Sequence, residues 1–398
     1  MRIAHIVRRF TFSEWGGTES VVLNIALQQK LQGLEPEILC TSALDKAGSD
    51  SFNDIPIHRF NYLYPYFPMP KKDKLALDKK GGNPFSIGLL KALKNGNYDI
   101  FHIHAGGRIA NCAVKLGKKL GIPCVMSLHG GSCVIPQQEL ELMLQPLKNK
   151  FSYGGIIDRI FKLRVAPESR MDKLLALSYE ETVALQKKFP GVEVETFPNG
   201  ILPRTFKGEG DFRTKYQLPR DKRIILCISR IDYQKNQKLL VELLSKKADS
   251  HLLLIGPVTA KWYFEEINQL ADKLGVSECM TVIPGLAPDS EELLQALRVA
   301  DCFILPSHHE PFGIVALEAL DARVPLIAAN VGGLKDFLVN GENALLFEDN
   351  NLEELSFAYD KIDSMRETLI ENGYQTSVKY NWKSLSERLT AIYREIAR

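Results

Sequence analysis

Two carboxylates, Glu310 and Glu318, stand eight residues apart in PSHHEPFGIVALEAL. Glu310 falls in a polar loop, Pro306 to Pro311, and Glu318 falls inside a small-residue helix predicted to open near Phe312. A helix opening there offers unpaired main-chain N–H groups around Gly313 and Ile314 and the positive end of its dipole, a receptor for an anion such as a diphosphate. Two cations, Arg230 and Lys235, lie in SRIDYQKN. Arg230 supplies a planar fork and Lys235 a compact charge, and together they could neutralise a diphosphate and its leaving-group charge. The competing reading is a solvated basic loop. His104 and His129 each end an apolar run, and each is followed closely by glycines. Gly16 and Gly17 precede a further helix, where a glycine lets the backbone approach a ligand; a plain helix-entry turn reads equally well.

These residues need elements to hold them. Cys302 to Leu305 reads as a buried strand, followed by the Glu310 loop, the helix, and a second strand at Pro325 to Ala329, the unit of a parallel sheet. Ligands of such sheets sit outside the carboxyl ends of the strands, where Glu310 lies. The same alternation runs through the chain. Strands are predicted at 2–7, 36–40, 55–60, 99–103, 122–128, 173–178, 193–197, 223–228, 251–255, 281–283 and 344–347, with helices between most of them. Residues 61–84, rich in Tyr, Pro and Lys, read as a long irregular excursion. Residues 148–170 interleave basic and apolar side chains, which suits either a solvated domain-surface helix or rest on an anionic membrane. A helix is predicted at 334–339, a long one from 352 to about 371, and a last one at 382–397.

With 398 residues the chain exceeds one ordinary core and suits two domains, 1–200 and 205–380, with the polar run FKGEGDFRTKYQLPRD at the linker and the last helix returning to the first domain. A net charge of +2 gives no global field to recruit nucleic acid. The seven cysteines are odd in number and form no C-x-x-C pair, which favours a reducing cytosol and suggests no zinc site. No apolar run has signal or transmembrane length. The expectation is a cytoplasmic protein, with peripheral contact at the inner membrane face still allowed.

The Glu310 to Glu318 segment resembles the E-x7-E signature of family four retaining glycosyltransferases, built as two Rossmann-like α/β domains facing across a cleft (the GT-B type). The resemblance implies that Glu310 lies at the donor sugar and Glu318 at the nucleotide ribose, with Phe312, Gly313 and Ile314 beside them. Arg230 and Lys235 match the family's R-x4-K, although Ser229 and Asn236 replace its usual glycines. The Gly17 loop resembles the GG-x-E loop at the donor phosphate and acceptor, His129 the HG histidine at the donor sugar, and His104 falls on the acceptor side. PNGI at 198–201 matches a segment before the hinge, with Leu202 in place of its usual Asp. The resemblance further implies a retaining transfer from a nucleotide-sugar donor to a glycan or lipid-linked acceptor. It fits bacterial-type surface glycan or glycolipid synthesis and needs no metal or other cofactor. The alternatives are a nucleotide-sugar epimerase of the same architecture and a non-catalytic nucleotide-sugar-binding protein.

Overall fold

The computed structural model describes residues 1–12, 16–129, 145–148, 150–203, 211–287 and 290–397, the side chains of Lys80 and Gln145 excepted. Gly130, Gly131, Cys133 and the first five residues of the linker run, 206–210, therefore lie outside the described residues. The chain forms two compact units, Met1–Asn199 with Trp382–Arg398, and Gly200–Asn381. The boundary falls at Asn199, ahead of the polar run, and Asp211 in that run caps a one-turn helix, Phe212–Lys215, of the second unit.

The first unit carries an eight-stranded sheet. Its strands in chain order are β1 (Arg2–Arg9), β2 (Glu35–Thr41), β3 (Gly48–Phe52), β4 (Ile55–Phe60), β6 (Ile100–Ile103), β7 (Cys124–Ser127), β9 (Lys173–Ala176) and β10 (Glu193–Thr196). The two-residue strands β5 (Tyr66–Phe67) and β8 (Phe151–Ser152) pair with each other outside it. The spatial order β10-β9-β7-β6-β1-β2-β4-β3 is parallel except for β3, which returns antiparallel along β4. Helices cover both faces of a parallel sheet, so its central strands are largely apolar, and β6, β7 and β9 are buried at every position, the polar His102, Ser127 and Lys173 included. The helices are α1 (Gly17–Leu31), α2 (Lys71–Lys80), α3 (Ile87–Asn95), α4 (Gly107–Leu120), α5 (Gly154–Ile160) and α6 (Tyr179–Lys188).

The second unit is a six-stranded parallel sheet in the order β13-β12-β11-β14-β15-β16. The strands are β11 (Arg223–Ile228), β12 (Ser250–Ile255), β13 (Met280–Ile283), β14 (Cys302–Leu305), β15 (Leu326–Ala329) and β16 (Leu345–Phe347). Before, between and after them lie α7 (Phe212–Lys215), α8 (Gln237–Leu244), α9 (Lys261–Lys273), α10 (Glu291–Val299), α11 (Ile314–Asp321), α12 (Leu352–Lys361) and α13 (Arg366–Lys379). Strand order reverses between β11 and β14, the switch point at which such sheets open a crevice.

The last helix, α14 (Trp382–Ile396), belongs to the first unit. It buries Trp382, Leu385, Leu389, Ile392 and Tyr393 in one stripe, each burial worth about 1.5–3 kcal/mol. Gln32, just after α1, donates to Ser386 at 3.0 Å and accepts from Thr390 at 2.7 Å, which fixes its register.

Several elements differ from expectation. The 61–84 excursion is not irregular: it contains α2, whose sequence KKDKLALDKK lacks an apolar stripe. Leu77 and Asp78 are buried, and Asp78 accepts hydroxyls from Tyr62 at 2.6 Å and Tyr64 at 2.9 Å. The basic run is broken up: its described residues carry β8, the two-turn α5 and a 3-10 turn, Pro167–Arg170. The long helix from 352 breaks at a 3-10 turn, Ile362–Met365, into α12 and α13, and the helix predicted at 334–339 is a 3-10 turn, Gly332–Asp336.

Candidate functional site

In the second unit, β11 and β14 are neighbours, and the loops leaving their carboxyl ends carry the predicted charges. After β11, Asp232 accepts from the main-chain N–H of Gln234 and starts a 3-10 turn, Tyr233–Lys235. The turn ends on Asn236 at φ 49°, ψ 39°, left-handed geometry that asparagine tolerates, and its side chain donates to Asn350 at 3.2 Å. Asn236 therefore fills the place of the usual glycine. Ser229 is equally accommodated: its hydroxyl accepts from Gln237 at 2.9 Å. Nothing in the structure explains Leu202.

After β14, the buried hydroxyl of Ser307 donates to Glu310 Oε2 at 3.3 Å, and His308 N–H donates to the Gln234 carbonyl at 2.9 Å, tying the two loops together. Lys235 Nζ meets Glu310 Oε2 at 2.5 Å, with side-chain exposures of 14% and 11%. An ion pair so far removed from water loses most of its hydration, and stripping one partner from such a pair costs about 3–5 kcal/mol. Two glycines hold Glu310 from behind. Gly333 N–H donates to the Glu310 carbonyl at 2.9 Å, and a Cβ on Gly332, at φ +50°, would lie 2.2 Å from that same oxygen. Gly313, at φ +90°, opens α11 beside Glu310, leaving the first-turn N–H groups for a ligand. Arg230 is exposed, and no described residue pairs with its guanidinium.

In the first unit the carboxyl ends of β1, β6 and β7 bring histidines together. His129 Nε2 lies 2.8 Å from His104 Nδ1, His104 Nε2 lies 3.0 Å from His5 Nδ1, and His5 Nε2 lies 2.8 Å from Gln29 Oε1. The Gln29 amide donates to the Tyr393 hydroxyl at 3.3 Å, which lies 2.5 Å from His102 Nδ1, and His102 Nε2 lies 2.7 Å from Ser127 Oγ. With the Gln29 oxygen toward His5, the chain has one direction. His5, His104 and His129 all carry their proton on Nε2, Tyr393 donates to His102, and His129 Nδ1 is left a bare lone pair, buried and without a partner among the described residues. The reverse direction would bury an unpaired N–H there instead, the rarer defect. Burial pushes His5 and His129 down to about 4 and His102 and His104 well below the ordinary imidazole value, so all four are neutral at pH 7. Among the described residues, His5, His102 and His104 are the group close enough to share a metal ion. Their ring nitrogens are already occupied by this chain, so a metal does not fit.

A cavity of about 580 Å³ opens beside His104, lined by Arg8, Arg9 and Glu19 and by the amino-terminal turns of α1 and α4. Arg9 pairs with Glu19 at 3.1 Å.

Family models match both parts of the chain: Glycosyltransferase Family 4 over residues 15–203 and Glycosyl transferases group 1 over residues 209–391. The chain belongs to the family four glycosyltransferases. It is 25% identical over 396 residues to the D-inositol 3-phosphate glycosyltransferase of Mycolicibacterium smegmatis, covering 95% of this chain and 86% of the relative. To the sulfoquinovosyl transferase of Arabidopsis thaliana it is 25% identical, covering 81% of this chain and 61% of that protein. Among solved structures it superposes on the sucrose-phosphate synthase of Thermosynechococcus elongatus with TM-score 0.72 at 19% identity, covering 99% and 98% of the two chains. Anabaena Alr3699/HepE, solved with UDP and glucose, gives TM-score 0.72 at 16% identity, covering 99% and 100%. These neighbours establish the GT-B fold of two Rossmann-like domains.

Within this glycosyltransferase the structure brings Lys235 and Glu310 together, with Gly313 and Ile314 beside them at the opening of α11. Glu318 follows on the same helix, half-buried. The Phe312 ring is buried against Phe337 and Tyr380, at 5.3 and 6.0 Å, which leaves its main chain to face the opening of α11. Gly17 opens α1, and a Cβ there would meet nothing, so packing does not demand the glycine. His104 lines the cavity of the first unit, with its two ring nitrogens held by His5 and His129. Sequence reasoning missed Ser307, Gly332, Gly333 and the partners His5, His102, Gln29 and Tyr393. Alternation placed His5 and His102 inside strands, where polar residues carry no signal until the fold joins them.

Proposed function

We propose that this glycosyltransferase moves a sugar from a nucleotide-sugar donor to an acceptor hydroxyl with retention at the anomeric carbon. The observation that supports this most is the Lys235–Glu310 pair held against the amino terminus of α11, with an unpaired Arg230 on the same edge. A nucleoside diphosphate brings charge that Arg230, Lys235 and the α11 amides can carry, and that charge grows as the glycosidic bond to phosphate breaks. Glu310 then orients the hexose, and Glu318 takes the ribose. The acceptor hydroxyl adds to the face the diphosphate leaves, and its proton passes to the departing phosphate oxygen. Transfer by this route needs no divalent cation, since side chains and main-chain dipoles supply the positive charge. Solved neighbours that hold UDP and glucose support a uridine donor as the first to test.

His129, with a bare Nδ1, suits acceptance of a sugar hydroxyl. A role in surface glycan or glycolipid synthesis draws support from exposed apolar residues of the first unit: Phe67 and Phe151, directly paired across β5 and β8, with Ile156 and Ile160 on α5. Arg159, Lys162 and Arg164 flank them, a composition suited to a bilayer bearing anionic lipid.

The test is donor turnover with the product anomer read by NMR. Wild-type enzyme should give product of the donor's configuration, or slow donor hydrolysis without acceptor, and Glu310→Gln and Lys235→Ala should lose at least about 100-fold in rate, as when one preorganised electrostatic group is removed. Full rate in either variant, or an inverted product, would contradict the proposal.

A further inference from the structure

Arg230 presents an exposed side chain at the carboxyl edge of the second sheet, and the main chain beneath it is held by a buried amide. Gln237, the first residue of α8, is 1% exposed. Its Nε2 donates to the Arg230 carbonyl at 2.8 Å and to the Ser229 hydroxyl at 2.9 Å, so both amide hydrogens are used. Turning the amide over would set its oxygen against the Arg230 oxygen, and a carbonyl cannot donate, so these partners dictate its orientation. The Gln237 oxygen is left buried, with no hydrogen-bond partner among the described residues. An unpaired buried amide oxygen costs stability, so the residue contributes less to folding than its two bonds suggest. What the amide fixes is geometry.

The peptide group between Arg230 and Ile231 is gripped at both ends. Its carbonyl accepts from Gln237, and its N–H donates to the Pro257 carbonyl at 2.9 Å. The preceding peptide group lies against Gly256, at φ +152°, where a Cβ would stand 1.9 Å from the Ser229 carbonyl oxygen. With the planar groups on either side of Arg230 held, its φ and ψ are set and only its side-chain torsions stay free. The same amide also closes the loop. Gln237 follows Lys235 by two positions and reaches back seven to Arg230, so one side chain ties the end of the loop to its start and sets the spacing of the two cations.

We infer that Gln237 is a positioning residue for the donor diphosphate: acting through Arg230 rather than on the ligand, its amide holds that cation at the spacing from Lys235 at which both meet the diphosphate. The inference rests on the proposed nucleotide-sugar donor and adds the group that preorganises its site. Without the amide, the Arg230 peptide group has freedom to lose when the ligand arrives, and fixing one residue's backbone is worth roughly 5- to 30-fold in a binding constant. The charge itself stays, so binding weakens and is not abolished.

The test is a double-mutant cycle on the full chain, with UDP, GDP and ADP titrated calorimetrically into wild type, Gln237→Met, Arg230→Gln and the double variant. Methionine keeps the length of the side chain and removes the donor. Gln237→Met should weaken the nucleotide that wild type binds by roughly 5- to 30-fold. In the Arg230→Gln background the same change should cost under about 2-fold, because the cation it positions is already gone. Hydrogen exchange adds a readout without ligand: the Ile231 N–H should exchange faster in Gln237→Met by a similar factor, with β16 unchanged. If Gln237→Met does not fold, Gln237→Asn, which keeps the amide but falls one methylene short of its two acceptors, is judged by the same cycle. Unchanged nucleotide affinity in the variant, or an equal loss in both backgrounds, would overturn the inference and leave the donor proposal standing. Failure of wild type to bind any of the three nucleotides would instead contradict the donor proposal, and Ile231 exchange then still decides whether Gln237 fixes the loop.

Discussion

Replacing Tyr393 with phenylalanine isolates the hydrogen-bonded chain in the first unit. The ring is fully buried and remains so, so apolar burial is unchanged. What disappears is a hydroxyl that accepts from Gln29 at 3.3 Å and donates to His102 at 2.5 Å. Two buried polar atoms lose their partner, at roughly 1–3 kcal/mol each, with the longer Gln29 contact at the low end. The expected loss is about 2–4 kcal/mol, which for a unit of this size lowers its melting temperature by about 5–12 °C. Urea unfolding measures the free energy, and long-range proton–nitrogen NMR of the imidazoles reads the tautomers. The wild type should show protons on Nε2 of His5, His104 and His129, and Tyr393→Phe should release the tautomer of His102. A change under about 0.5 kcal/mol with the His102 tautomer intact would refute the chain as described.

Acid should destabilise the first unit for the same reason. His5 and His129 titrate at about 4 in the fold and near 6.5 when unfolded, so the unfolded chain binds more protons between these values. Their contribution is complete above about pH 6.5 and falls by about 1.4 kcal/mol per pH unit per histidine as pH drops toward 4; a flat unfolding free energy across that window would contradict the burial. In the second unit, Gly333→Ala would set a Cβ 2.2 Å from the Pro311 carbonyl oxygen, so the loop that carries Glu310 must shift. A loss of about 1–3 kcal/mol, with donor turnover falling alongside, is expected from urea titration and rate assays, whereas wild-type values in both would exclude that packing role.

The periodicities of the sequence carry most of the architecture, because parallel strands buried on both faces read as unbroken apolar runs and the intervening helices open with caps such as Ser178 and Ser290. The site in the second unit is legible for the same reason: Arg230, Lys235 and Glu310 all fall shortly after such runs. Illegible features depend on long-range contact. Strand β3, GSDSF, has every residue exposed and exists only by pairing with β4. Helix α2 is held by Leu77, by Asp78 and by an ion pair of Asp73 with Lys150 at 2.5 Å, none of which a local pattern reveals. The break between α12 and α13 carries no proline or glycine to announce it. Gln29, His5 and Tyr393 become a chain only when α14 returns to the first sheet, across 364 positions of sequence between Gln29 and Tyr393.

The central claim is that cations at the carboxyl edge of the second sheet grip a nucleoside diphosphate. Calorimetric titration of UDP, with GDP and ADP as comparators, into wild-type protein and into Arg230→Gln and Lys235→Ala tests it most directly. Binding of one nucleotide to the wild type, weakened on the order of 10- to 100-fold in each variant, is the predicted result. Equal affinity in all three proteins, or no affinity for any nucleotide, would contradict it.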